Sequence, residues 1–303
     1  GGLVFEPGMG TGNFAGLMPA DIAAATQYQG IEYDHLTSRI AHHLYPQWGV
    51  RQADYTRQPT VRDTYDLVIG NPPFSETVIT ADPEYAGKGF VLHDYFFAKS
   101  LDAVRPGGVL MFVTSAGTMN KLGTRAREYL ADRADLVGAV RLPGNAFEDN
   151  AGTSVTTDIV MLRKRLPGEA AGDRTWTETV ERDLPNKDGG TKTGAVSRYF
   201  SEKPEMVLGE EGFFDTLVNG TRYAVRAPAG YDLRKGLADA AGRLPINVIT
   251  ARDTTLDRAR ADFDLDAKER KEGSFYVGDK GRLMQMRGGV GVPVEKPGKG
   301  VVG

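Results

Sequence analysis

The first 165 residues alternate short apolar runs with stretches of helical period. Leu3-Val4-Phe5, Gly30 to Tyr33, Val50 to Ala53, Leu67-Val68-Ile69 and Val109 to Val113 are brief, strand-like and bounded by turn residues. Between them, "HLTSRIAHHLYP" sets Leu36, Ile40 and Leu44 at every fourth position, with Pro46 just past the end. "HDYFFAKSLDAVRPGG" repeats the device with Phe97, Leu101 and Val104, and Pro106-Gly107-Gly108 as its stop. Apolar strands separated by helices predict a mostly parallel sheet with helices on both faces. Two more strands, in "RADLVGAVRLPGNAF" and "SVTTDIVMLRKR", flank a Gly-, Asn- and Asp-rich loop from about Pro143 to Thr153. That loop is too short for a crossover helix, so these two strands are expected as antiparallel neighbours at one sheet edge.

After Arg165 the pattern weakens. "LPGEAAGDR" has the composition of a linker, and "PNKDGGTKTG" (185–194) that of a loop or disordered turn. "LRKGLADAAGRLP" predicts a helix, and "TTLDRARADFDLDAKERKEG" a solvated helix with charges of both signs. The expected division is therefore a main α/β domain at 1–166, an extension of unassigned role at 167–286, and a flexible Gly/Pro-rich linker at 287–303.

Composition narrows the chemistry. With no cysteine among 303 residues, disulfides, thiolate metal sites and cysteine nucleophiles are excluded. His35, His42, His43 and His93 lack metal-ligand spacing, and no metal site is expected. A net charge of -3 is not that of a free-standing nucleic-acid binder, so such a role would rest on a local groove or on other domains. No run of 18 apolar residues and no signal pattern occurs, which makes a cytoplasmic location the expectation, with no membrane partner.

Two turns carry candidate chemistry. In "VFEPGMGTGNF", Gly8, Gly10 and Gly12 follow the first strand directly and open a helix around Asn13 and Phe14. Their G-x-G-x-G spacing is not the G-x-G-x-x-G of the dinucleotide fingerprint. Glu32 ends the second strand, followed by Tyr33, and is placed to accept hydrogen bonds from a ribose diol; that fits a nicotinamide or an S-adenosylmethionine site equally. Glu6 tilts the choice, because a carboxylate there repels a pyrophosphate and tolerates a sulfonium or amino group. Asp54, after the third strand, is placed to meet an adenine amino group, although a surface turn acid reads the same way.

In "DLVIGNPPF", Pro72 and Pro73 end the fourth strand and stiffen the turn. The Asn71 side-chain oxygen and the Pro72 carbonyl can both accept hydrogen bonds from one amino group, and the Phe74 ring can stack on a flat base. An exocyclic base amine is a poor nucleophile, since its lone pair is delocalised; two fixed acceptors would aim that pair at a methyl donor by position and electrostatics alone. Carbon-5 cytosine methylation through cysteine is excluded.

"EPGMGTGNF" and "NPPF" together resemble the cofactor and catalytic motifs of the amino-group DNA methyltransferases, specifically the N6-adenine class. "IEYDHLTSRIAHHLYP", "HDYFFAKSLDAVRPGG", "VTSAGTM", "RLPGNAF…AGTSVTTDIV" and "YFSEKPEMVLG" look like the large methylases fused to helicases in phages and mobile elements. The resemblance implies a Rossmann-like class I S-adenosylmethionine-dependent methyltransferase fold: a seven-stranded, mostly parallel sheet with an antiparallel last strand. It also implies duplex DNA with a flipped adenine as partner, and a helicase domain of the same parent protein. Glu6, Gly8, Gly10, Gly12, Asn13, Phe14, Glu32, Tyr33 and Asp54 would hold S-adenosylmethionine. Asn71, Pro72 and Pro73 would hold the amine, Phe74 would stack on the base, and Phe147 would be its second aromatic face or a core or lid residue. RNA guanine-N2 or protein glutamine methylation, and a non-catalytic methylase-like domain serving a helicase, fit the same motifs. The helix that usually precedes the first motif and a separate target-recognition domain are not evident, which suggests a piece of a larger protein.

Overall fold

A computed structural model describes residues 2–146, 155–216, 220–251, 271–278, 282–287 and 290–294. Its main sheet has seven strands: β1 (Gly2–Pro7), β2 (Thr26–Glu32), β3 (Gly49–Gln52), β4 (Tyr65–Gly70), β5 (Val104–Ser115), β6 (Ala134–Leu142) and β7 (Thr157–Lys164). They lie in the order β3-β2-β1-β4-β5-β7-β6. β1 to β5 pair in parallel, whereas β7 runs antiparallel between β5 and β6. The antiparallel pair sits at one edge, as the short loop requires, and the last strand in sequence lies one place in from that edge.

Helices α1 (Asn13–Gly16), α2 (Ala20–Ala24) and α3 (His35–Leu44) belong to the β1–β3 half, and α4 (Leu92–Ala103), α5 (Gly117–Asn120) and α6 (Arg125–Ala131) to the other. Asp34 caps α3 by accepting from the Thr37 amide. The Leu36, Ile40, Leu44 stripe that gives α3 its period is not the face that packs: Leu36 is 63% exposed, while Ser38 and Ala41 are buried. Small residues let this helix lie close to a core of Val4, Met9, Tyr28 and Trp48. α4 is buried from His93 to Ala103, because the loop after β4 and helix α6 cover the side that the sheet does not. It ends at Ala103, ahead of the Pro-Gly-Gly stop, and Pro106 to Gly108 lie inside β5 next to a register shift opposite Tyr65 and Leu67.

The chain beyond Arg165 differs most from expectation. Residues 185–194 are no free loop: β8 (Thr179–Pro185) and β9 (Thr191–Ser197) form a hairpin whose polar faces hide the alternation. After α7 (Arg198–Glu202), β10 (Glu210–Thr216) and β11 (Gly220–Arg226) form a second hairpin, and α8 (Leu233–Ala241) is the predicted helix. Trp176, Phe200, Met206, Leu208 and Ala240 are buried in the same core as Phe5, Phe97 and Leu142, so no packing boundary falls at 166. The Tyr199 hydroxyl accepts from the Ala139 amide at 3.0 Å, and the Arg141 carbonyl accepts from the Leu208 amide at 2.8 Å. Widely spaced single aromatics carry no periodic signal, which is why this packing is unreadable from pattern. In the Gly/Pro-rich tail, Val290–Pro293 is a strand, β14, pairing with β13 (Leu283–Arg287), which pairs in turn with β12 (Phe275–Val277). Most of the charged segment expected as a solvated helix lies outside the described residues.

Candidate active site

Both motif turns leave the sheet at the carboxyl ends of its central strands. β1 has β2 on one side and β4 on the other, so the chain winds away from this point in opposite directions and leaves a crevice. The glycine turn is stapled to β2: the amides of Gly8 and Met9 donate to the Ile31 carbonyl at 2.8 and 2.9 Å. The Met9 side chain is buried over Gly30, where a Cβ would come within 2.1 Å of its sulfur. Gly10 and Gly12 have φ of +58° and +85°, a region that glycine enters without strain. A Cβ on Gly12 would strike the Tyr45 ring at 2.6 Å, whereas one on Gly10 would meet nothing within 4 Å. The turn is therefore braced at its end and open at its middle.

Glu32 stands beside that opening, half-buried. Its two oxygens accept from the Gly10 and Asp34 amides, each at 2.8 Å. A carboxylate has about four acceptor positions, so capacity remains for a ligand diol. The Ala53 amide donates to the Glu32 carbonyl at 2.9 Å, which places Asp54 at the same end of the sheet. Asp54 is half-buried and caps its own 3-10 turn, accepting from the amide and hydroxyl of Thr56 at 2.9 and 2.7 Å and lying 3.4 Å from Arg57. Asn13 is exposed, Phe14 half-buried, and Tyr33 71% exposed at the rim.

Glu6 sits under the turn, 2% exposed, and accepts from the Tyr28 hydroxyl. Burial pushes its carboxyl up to about 8, against the Tyr28 hydrogen bond, and the Glu32 charge pushes the same way. Burial, with the adjacent carboxyl, also raises the Tyr28 phenol. Glu32 makes a place that welcomes positive charge and disfavours a phosphate, whereas Glu6, with its carboxyl raised to about 8, is mainly the neutral acid near pH 7.

Asn71, Pro73 and Phe74 are exposed and Pro72 is buried. A Cβ on Gly8 would lie 3.9 Å from the Pro73 ring and 3.7 Å from Phe96, so the two turns lie side by side. Phe74 is 42% exposed, its ring unencumbered by core packing. Beyond it the chain is pinned again, with Val78 bridged to Val91 and the Ile79 amide on the Phe90 carbonyl at 3.0 Å. Phe147 lies outside the described residues.

The crevice thus gathers Glu6, the three glycines, Asn13, Phe14, Glu32, Tyr33, Asp54 and Asn71 to Phe74. Met9 and Tyr28 were not singled out from sequence. Their signals are a bulky residue inside a glycine turn, and a tyrosine two positions before Gly30 on the strand that flanks Glu6. Among the described residues, no group of three or more His, Asp or Glu could hold a metal ion, and no helix is long and apolar enough to cross a membrane.

Residues 27–146 match the Eco57I restriction-modification methylase family. The chain is 31% identical over 179 residues to the defense against restriction protein B of Escherichia phage P1, covering 56% of this chain and 8% of that protein. Its structure is similar to one assigned to the class I S-adenosylmethionine-dependent methyltransferases from Listeria monocytogenes, with a TM-score of 0.49 and 17% identity over 57% of this chain and 56% of that one. It is also similar to the methyltransferase subunit of a type I restriction-modification system from Streptococcus thermophilus, with a TM-score of 0.45 and 19% identity over 67% and 46%. The chain spans under a tenth of the phage relative's length and about half of each structure's. The sheet, seven-stranded and mostly parallel with one antiparallel strand, is the one expected from the sequence.

Proposed function

We propose, from the premise that a methylase domain of the Eco57I restriction-modification family occupies residues 27–146, that the chain methylates the exocyclic N6 amine of adenine in DNA. The observation that carries this reading is the adjacency of the glycine turn and the Asn-Pro-Pro-Phe turn, with Pro73 3.9 Å from where a Cβ on Gly8 would stand. S-adenosylmethionine, when bound, supplies an electrophilic methyl group. Glu32 and the open backbone at Gly10 suit its ribose and tail, and Asp54 its adenine ring. The Glu32 carboxylate suits its positive charge.

The remaining work falls to the second turn. Asn71 accepts one hydrogen of the target amine through its side-chain oxygen, and Pro72 accepts the other through its carbonyl. Two acceptors in fixed positions favour a tetrahedral nitrogen and free its lone pair for attack, a gain of position and electrostatics. The prolines hold those acceptors still. Phe74 stacks on the base once it has left the duplex. Asn71 cannot take up the amine's surplus proton, so that proton goes to water after transfer.

Methyl transfer from labelled S-adenosylmethionine to duplex DNA, single-stranded DNA, ribosomal RNA and a glutamine-containing peptide, followed by product analysis, tests the reading. N6-methyladenine in the duplex lane is expected. A product confined to RNA or peptide would replace the substrate class, and bound cofactor with no product in any lane would leave a non-catalytic domain.

A further inference from the structure

Lys99, in the middle of α4, is 1% exposed, deep beneath the crevice. Its ammonium has three donors and no acceptor. It bonds the Tyr55 carbonyl at 3.0 Å, the Gln58 carbonyl, and Asp82 at 2.8 Å, with the Tyr95 hydroxyl at 2.9 Å alongside. Tyr95 in turn donates to Asp82 at 2.8 Å. Burial lowers the Lys99 pKa and Asp82 opposes that shift. With every proton engaged, this lysine is neither a nucleophile nor a base.

Its partners lie on two different segments. Tyr55 and Gln58 bound the 3-10 turn that Asp54 caps, on the side expected to take the cofactor's adenine. Asp82 organises the excursion that follows Phe74: it accepts from the Glu84 amide through its side chain at 3.1 Å, and from the Tyr85 and Ala86 amides through its carbonyl at 3.1 and 2.9 Å. That excursion begins four residues past Phe74 and closes where Val78 bridges Val91, at the start of α4.

We propose that Lys99 is a positioning residue whose ammonium, with the Tyr95 hydroxyl beside it, holds the cofactor-side turn at Asp54 and the amine-side loop after Phe74 in one mutual geometry. The idea rests on the function proposed above and deepens it. The segments share no chain connection shorter than the sequence from 58 to 82; the Tyr95 hydroxyl, 3.3 Å from the Tyr55 carbonyl and bonded to Asp82, and the Arg62–Glu84 ion pair also span the gap, and the ammonium is the charged centre of these links. Arginine is no substitute, because its planar fork cannot present three donors at one point.

Removing one member would leave a buried charge unpaired, so the informative variant removes both: Lys99→Met with Asp82→Leu. Buried ion pairs exchanged for apolar residues of similar volume often cost nothing in stability, and thermal unfolding checks that here. Expected is a folded double variant with amide exchange accelerated in 54–60 and 76–90 together, and with about tenfold or larger rises in KM for both S-adenosylmethionine and DNA. A merely structural pair would alter the active fraction and leave both KM values unchanged; that result, or acceleration in one segment alone, overturns the proposal. Should the double variant unfold, Lys99→Arg serves in its place with the same readings. Failure of the unmodified protein to bind S-adenosylmethionine would overturn the functional reading itself, and the two failures are distinct.

Discussion

The glycine turn and the Asn-Pro-Pro-Phe turn lie side by side at the ends of adjacent strands, yet they are built by opposite means. The first uses residues that permit unusual backbone, and borrows rigidity from outside: Met9 over Gly30, Tyr45 against Gly12, and Glu32 on the Gly10 amide. The second uses residues that forbid alternatives and is rigid by covalent structure. The first is charged and titratable, with Glu6 and Glu32 beside it; in the second, Asn, Pro, Pro and Phe have no proton to lose. A turn that must surround a large cation can be adjusted by its neighbours, whereas one that must present two acceptors to a small amine is best fixed in itself.

Five substitutions probe this comparison, two of them across the two turns and three within the glycine turn. Asn71→Ala should have the largest effect, lowering kcat by roughly 10²- to 10³-fold, as loss of one positioned hydrogen-bonding group does elsewhere. Calorimetry should find its S-adenosylmethionine affinity intact. Glu32→Ala should do the reverse, weakening the cofactor by about 1.5–3 kcal/mol, the worth of hydrogen bonds to a charged group, with kcat retained at saturation. Equal losses of both quantities in either variant would merge the two sides into one.

The third contrast lies within the glycine turn. Gly12→Ala adds a clash with Tyr45, which Trp48 holds by stacking at 5.0 Å. It should cost about 1–3 kcal/mol more in denaturant unfolding than Gly10→Ala, which strains only the backbone by about 1–2 kcal/mol. The last contrast is the pH dependence due to Glu6. Its carboxyl rises from an ordinary 4.5 to about 8 on folding, so the folded chain holds that proton more tightly than the unfolded chain does. The stability it contributes is complete below about pH 4.5 and is lost as pH climbs through about 8, at no more than about 1.4 kcal/mol per pH unit. Stability of Glu6→Gln followed by urea titration should be flatter over that window; an unchanged slope would place the sensitivity elsewhere.

Sequence pattern made the sheet legible because buried parallel strands are apolar runs between turn residues, and the antiparallel pair followed from the length of one loop. The crevice was legible for a related reason: glycines and prolines act through the backbone, so their positions carry meaning without knowledge of neighbours. Side-chain partnerships were not. That Glu6 would be covered by Tyr28, or that the apolar stripe of α3 would face outward while Ser38 and Ala41 faced in, depends on how closely elements approach. The extension was the least legible, since Trp176 and Phe200 reach the main core as single aromatics from segments with no periodic pattern.

The way that extension meets β6 has a consequence for solubility. β6 is the outermost strand of the sheet, and an uncovered outer strand offers unpaired amides and carbonyls to any other chain. Here Tyr199 takes the Ala139 amide and Leu208 takes the Arg141 carbonyl, with Val207 bridged to Arg141 in parallel. A chain cut after Arg165 would keep every residue of the crevice and lose this cover. It should self-associate edge to edge, so the segment that contributes none of the proposed chemistry is what shields the open edge of the sheet.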